Sequence, residues 1–186
     1  SFKELCRSMA RPTSSDFQAL KRLARYLLGS PRMILHRGWQ AFQCDIQVYT
    51  GSDWAGCARS RYSTSGWVVL RGARLLKHWS STQATVAFSS VEAEVIAMAR
   101  GAAEGLGIKG LAADFNVVTG VSVHADATAA LGICKRTGVG RIRHLDTRLL
   151  WIQDKVRAGE MQLHGAIGAG NPIDLPTKFP NAEMAG

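Results

Sequence analysis

The chain has 186 residues, 46% of them hydrophobic and 20% charged, which suits one domain of ordinary size with an appendage. No apolar run approaches the roughly 20 residues that cross a bilayer, and the opening residues lack the long apolar stretch of a secretory signal, so no membrane span is expected. An intracellular location is favoured, and the start on Ser1 reads as an excised or processed segment.

Lys and Arg number 23 against 14 Asp and Glu, a formal charge of +9 that favours an anionic partner, most often nucleic acid. The alternative is a basic surface that is merely solvated or that docks on an acidic protein. Cys6, Cys44, Cys57 and Cys134 lie far apart with no C-x-x-C pair, so neither a zinc module nor a disulfide framework is indicated. Reduced, mostly buried thiols are expected.

In chain order, Thr13 and Asp16 form a capping-box pattern ahead of a helix reaching Leu28. Phe17, Leu20, Leu23, Ala24, Leu27 and Leu28 make its apolar stripe, and Gly29 and Pro31 stop it. Phe42, Cys44, Ile46 and Val48 alternate with polar residues, the period of a half-buried strand ending near Thr50, with Gly51, Ser52 and Asp53 at its exit. Two apolar runs, Gly66 to Leu70 and Leu75 to Trp79, flank a turn at residues 71–74 and predict a hairpin.

Ser89 and Ser90 offer N-caps for a helix through Val95 and Met98, whose continuation Gly101, Gly105, Gly107 and Gly110 should break or loosen. Val121 to Ala125 reads as a buried strand ending at Asp126, Ala127 to Cys134 as a helix, Leu145 to Val156 as a helix closed by Gly159, and Met161 to His164 as a last strand. The Gly-rich run from Gly165 to Gly170 then leads to Asn171, Pro172, Ile173 and Asp174. Trp67, Trp79 and Trp151 fit core positions better than nucleic-acid stacking, with Trp54 weighed beside them. His36, His78 and His164 are isolated and read as structural.

The acidic residues concentrate at ends of elements. Asp53 follows the first strand, Glu92 and Glu94 open a helix, Asp126 ends a strand, and Asp174 lies near the C-terminus. Converging carboxylates could hold magnesium ions about 4 Å apart around a scissile phosphate. Each also has a structural reading: Glu92 and Glu94 suit the helix dipole, Asp126 an N-cap, Asp174 a turn.

Seven blocks in order carry a resemblance. Tyr49-Thr-Gly-Ser-Asp-Trp-Ala-Gly-Cys57, Tyr62-Ser-Thr-Ser-Gly-Trp67, Trp79-Ser-Ser-Thr-Gln83, Ser89-Ser-Val-Glu-Ala-Glu94, Val123-His-Ala-Asp126, Arg143-His-Leu-Asp146 and Asn171-Pro-Ile-Asp-Leu-Pro-Thr-Lys178 together resemble the ribonuclease H domains of copia-type retroelements. The leading helix resembles the segment that joins reverse transcriptase to nuclease.

The resemblance implies an α/β ribonuclease H-like fold, a five-stranded mixed sheet flanked by helices, in residues 41–186, with 1–40 as a connecting segment. It implies cleavage of RNA in RNA/DNA hybrids with two Mg2+ ions. Glu94, Asp126 and Asp174 match the family's metal-binding acids, and His144 matches a family histidine that would position groups at the site. Arg59, Arg61, Lys135, Arg136, Arg141 and Arg143 fall in loops near the same edge and are expected to contact phosphates.

The sequence departs from the family's S-D-x-D-W pattern at Gly51, where the first aspartate would be shared by both metals. Asp53 is the second acid of that motif. In an extended strand it lies about 6.6 Å from residue 51 on the same face, so substituting for the missing acid requires a bulge. Hydrolysis is therefore expected to be weak or absent. The alternative is a domesticated, non-catalytic domain that serves as a nucleic-acid-binding or structural subunit of a larger assembly.

Overall fold

The computed structural model describes residues 5, 6, 8–32, 38–57, 60–138, 147–166, 172 and 173. The chain divides into two compact units, Ser1–Trp39 and Gln40–Gly186. The first contains helix α1 (Ser14–Gly29), opened by the expected capping box: Thr13 Oγ1 accepts from the Asp16 amide and the Asp16 carboxylate accepts from the Thr13 amide at 2.8 Å. None of its residues is buried, and the apolar stripe is open at Phe17, Leu20, Leu27 and Leu28.

The second unit is built on strands β1 (Asp45–Asp53), β2 (Thr64–Arg71), β3 (Arg74–Thr82), β4 (Gly120–Ala125) and β5 (Gln162–Gly165). Helix α2 (Ser90–Asp114) precedes β4, and helices α3 (Thr128–Lys135) and α4 (Thr147–Arg157) separate β4 from β5. The sheet order is β3-β2-β1-β4-β5, antiparallel from β3 to β1 and parallel from β1 to β5. The five-stranded mixed sheet and its helices are those expected.

The hairpin β2–β3 turns at Gly72 with φ +59°, where a side chain would also collide with Gln40. β1 begins later than its alternation suggests and runs on through Gly51, Ser52 and Asp53. Parallel pairing starts at Asp45 opposite Gly120, and β2 supplies backbone partners out to Thr64 opposite Asp53. The three residues expected at the strand's exit therefore lie within it.

The expectation of a broken α2 is also corrected, because the helix is continuous for 25 residues. Gly101 rests on Thr50 and Val48, and a Cβ on Gly105 would stand 2.7 Å from Val48 Cγ2 and 3.0 Å from Val121 Cγ1. The two glycines let the helix lie directly on β1 and β4, so burial outweighs their poor helix propensity. The core fills this face of the sheet: Ile46, Val48, Trp67, Val69, Val121, Val123 and Leu163 meet Val95, Met98, Leu149 and Ile152.

Two buried amides tie the connections to this core. Gln83 donates from Nε2 to Ser65 Oγ at 2.8 Å and to the Ala93 carbonyl at 2.9 Å. Gln153 donates to the carbonyls of Ile133 and Gly138 and accepts from the Gly138 amide. Cys134 is buried, whereas Cys6 and Cys44 are exposed and Cys57 is intermediate, so burial of most thiols does not hold. Trp67 is in the core, but Trp79 is 53% exposed because β3 is an edge strand.

Candidate active site

The sheet directs three segments to one edge. β1 and β4 run parallel, with Thr50 opposite Ala125 as the last pair, and Gly51 and Asp126 each follow directly on that pair. Asp126 is exposed there. From the helical face, the first turn of α2 brings in Glu94, which is 8% exposed. Its Oε1 accepts from the Ser52 amide at 3.0 Å and from Ser52 Oγ at 2.8 Å, two charge-assisted bonds that fix the carboxylate against β1. Ser52 was not singled out in the sequence, although its place between the two acidic positions of the motif was the available signal.

Glu92 has a different task. Its carboxylate accepts from the Phe88 amide at 2.7 Å while its own amide donates to Ser89 Oγ at 3.2 Å, which closes the start of α2. This is the structural reading of that acid.

Strand alternation sends residue 51 toward the sheet face opposite Glu94. That space is taken: a Cβ on Gly51 would stand 3.0 Å from Ile173 Cγ2 and 3.4 Å from Cγ1, and Ile173 is 1% exposed. Where the resembled family carries a carboxylate, this chain has a glycine covered by a branched hydrocarbon. Ile173 was quoted in the last sequence block but not read as part of the site, since an isolated apolar residue in a motif gives no chemical signal.

Asp53 does not reach toward this position. The register of β1 with β2 is unbroken from Ile46 to Asp53, so no bulge lies between residues 51 and 53. The Asp53 carboxylate instead folds against the α-carbon of Gly56 in the turn after the strand. In that turn Ala55 and Arg61 adopt positive φ, the Ala55 amide donates to Ser63 Oγ, and Trp54 Nε1 donates to the Ala87 carbonyl at 3.2 Å.

Among the described residues no three His, Cys, Asp or Glu side chains form a group that could hold a metal ion. Asp174 and His144 lie outside the described residues, as do Arg59, Arg141, Arg143 and His36. Of the expected phosphate contacts, Arg61 is exposed in the turn after β1, and Lys135 and Arg136 are exposed at the end of α3.

Behind the edge, Tyr49, His124 and His164 stand opposite one another on β1, β4 and β5. Tyr49 and His124 stack with centroids 4.6 Å apart, and His124 and His164 with centroids 5.2 Å apart. His164 is thus not isolated. Burial, and secondarily the nearby His164, hold the His124 pKa below its ordinary value.

Sheet order and the helix laid across β1 define a ribonuclease H-like α/β domain. LC11-RNase H1, isolated from compost by a metagenomic approach, has the same fold at a TM-score of 0.54 and 16% identity, over 69% of this chain and 89% of that one. The chain is homologous to retrovirus-related Pol polyproteins of plant transposons, as the ordered blocks led one to expect. It is 28% identical over 164 residues to that of transposon RE1 of Arabidopsis thaliana, covering 86% of this chain, and 26% identical over 174 residues to that of TNT 1-94 of Nicotiana tabacum.

An uncharacterized mitochondrial protein of Arabidopsis thaliana is 36% identical over 102 residues, which is 54% of this chain. The chain spans 41% of that protein and 11% of the RE1 polyprotein. No family model matches the chain. No described helix is long and apolar enough to cross a membrane.

Proposed function

We propose that this is the ribonuclease H-like domain of a retroelement polyprotein, able to engage RNA/DNA hybrid and deficient in cleaving it. The observation that carries the reading is the contact of Ile173 with Gly51, which puts hydrocarbon where the resembled family's shared carboxylate would stand. Magnesium is the ion that family chemistry calls for, and Glu94 and Asp126 with Asp174 are the side chains that would approach it. Loss of one bridging ligand weakens metal affinity and misaligns the attacking water, so hydrolysis falls steeply.

Hybrid binding draws on the net charge of +9, with Arg61, Lys135 and Arg136 as phosphate contacts. A fluorescence titration with a labelled RNA/DNA hybrid tests this. Lys135→Glu with Arg136→Glu should weaken binding at least several-fold and flatten its salt dependence. Unchanged affinity would remove these residues from the interface.

A second reading, a non-catalytic subunit of a larger assembly, is favoured by α1. This helix leaves Phe17 55% and Leu28 80% exposed, an apolar stripe suited to a protein partner. Under that reading the chain forms a stable complex that covers these residues, and light scattering of the free chain against its complex tests it.

A further inference from the structure

Away from the carboxylate edge, the outer side of α2 is flanked by two open troughs. One, of about 620 Å³, lies between α2 and β3 and is lined by Trp67, Lys77, Trp79, Arg100, Ala103 and Glu104. The other, of about 420 Å³, lies between α2 and α4 and is lined by Ala99, Arg100, Ala103, Arg148 and Trp151. Arg100 and Ala103 belong to both, so the troughs are two halves of one groove crossing the helix. The small side chains of Ala99 and Ala103 keep its floor low.

Its chemistry is one-sided. Across the two troughs the cations Lys77, Arg100 and Arg148 outnumber the one carboxylate in the lining, Glu104, which Lys77 pairs at 2.8 Å. Lys77 Nζ also sits 5.5 Å from the centre of the Trp67 ring. Arg100 donates to Ser81 Oγ at 3.1 Å, a neutral partner. Among the described residues neither Arg100 nor Arg148 enters an ion pair. Trp79 is 53% exposed at one end, and Trp151 is half-buried at the other.

Cations flanked by one exposed and one half-buried indole suit a flexible polyanion whose planar groups can stack, which a paired duplex does not offer. We propose that this groove binds a single-stranded polynucleotide, with Arg100 and Arg148 on its phosphates and Trp79 and Trp151 under its bases. Arg100 lies six residues beyond Glu94 in α2, about 9 Å along the axis and about 120° around it, so the groove is separate from the carboxylate edge. The proposal does not rest on hybrid binding there.

The test is fluorescence anisotropy of a dye-labelled thymidine oligonucleotide titrated with the chain at low salt. Trp79→Ala should weaken binding about tenfold while Trp79→Phe keeps most of the affinity. Arg148→Glu should weaken it further and lower the slope of log K against log salt by about 0.7 or more. Trp79 and Arg148 are exposed, so thermal melts of these variants should match the parent. If the groove instead seats another protein segment, the titration is indifferent to Trp79→Ala and Arg148→Glu. That result, or a parent chain that does not bind the oligonucleotide, overturns the proposal.

Discussion

Ile173 and Gly51 share one position: a methyl of the isoleucine stands 3.0 Å from where any side chain at residue 51 must begin. The pair is complementary, large against absent, and either residue alone is poorly exchanged. Gly51→Ala should destabilise the chain by about 1 kcal/mol through overpacking. Ile173→Ala should cost about 2–4 kcal/mol, since the side chain is 1% exposed. In the double variant the alanine at 51 relieves part of the cavity, so urea melts should give less than the sum. Strict additivity would mean that the two side-chain positions do not touch.

The glycines of α2 divide by what lies beneath them. Gly101 and Gly105 meet Thr50, Val48 and Val121, whereas Gly107 and Gly110 have open space around the position of a Cβ. Gly105→Ala should therefore cost about 1–3 kcal/mol despite a better helix propensity. Gly107→Ala and Gly110→Ala should each stabilise by about 0.5–1 kcal/mol. Denaturant midpoints distinguish the two groups, and a gain at Gly105 would contradict the close seating of the helix.

The division of the glycines shows what the sequence could convey. Spacing and turn residues made the hairpin, the N-caps of α1 and α2 and all five strands legible, because these depend on neighbours in the chain. The same glycines read as helix breakers, since only the tertiary approach of β1 shows why Gly101 and Gly105 are tolerated. The candidate site divided likewise. Glu94 and Asp126 could be placed from motif and element ends, and Gly51 stood out as a departure. Ile173 and Ser52 required the fold, because hydrocarbon filling a vacancy and a serine bonded to Glu94 depend on segments distant in the chain. Trp79 misled for a related reason, as an apolar strand pattern does not reveal that the strand lies at an edge.

His124 is held neutral by burial and by His164, so its folded pKa lies below its unfolded value. The unfolded chain then binds the proton more readily, and folding stability rises with pH across the interval between the two values. The contribution is complete above about pH 6.5 and is lost as pH falls through the lower folded value. Melting temperatures between neutral pH and about pH 5 should fall more for the parent than for His124→Phe, which keeps the stack with Tyr49. Equal pH dependence would show that His124 is not the titrating group.

Burial alone pushes the Cys134 thiol up to about 12, while Cys6 and Cys44 are exposed. A thiol reagent at neutral pH should modify Cys6 and Cys44 promptly and Cys134 only after denaturant opens the core. Prompt loss of the Cys134 thiol in the folded chain would contradict its place in the core.

Metal-dependent cleavage of a labelled RNA/DNA hybrid, followed for the parent, Gly51→Asp and Gly51→Asp with Ile173→Ala, tests the central claim most directly. The parent should cleave little or not at all. Gly51→Asp alone should gain little, because Ile173 fills the space its carboxylate needs, and the double variant should cleave at least tenfold faster than either. A parent that cleaves as fast as the double variant, or a folded double variant as inactive as the parent, would contradict the account.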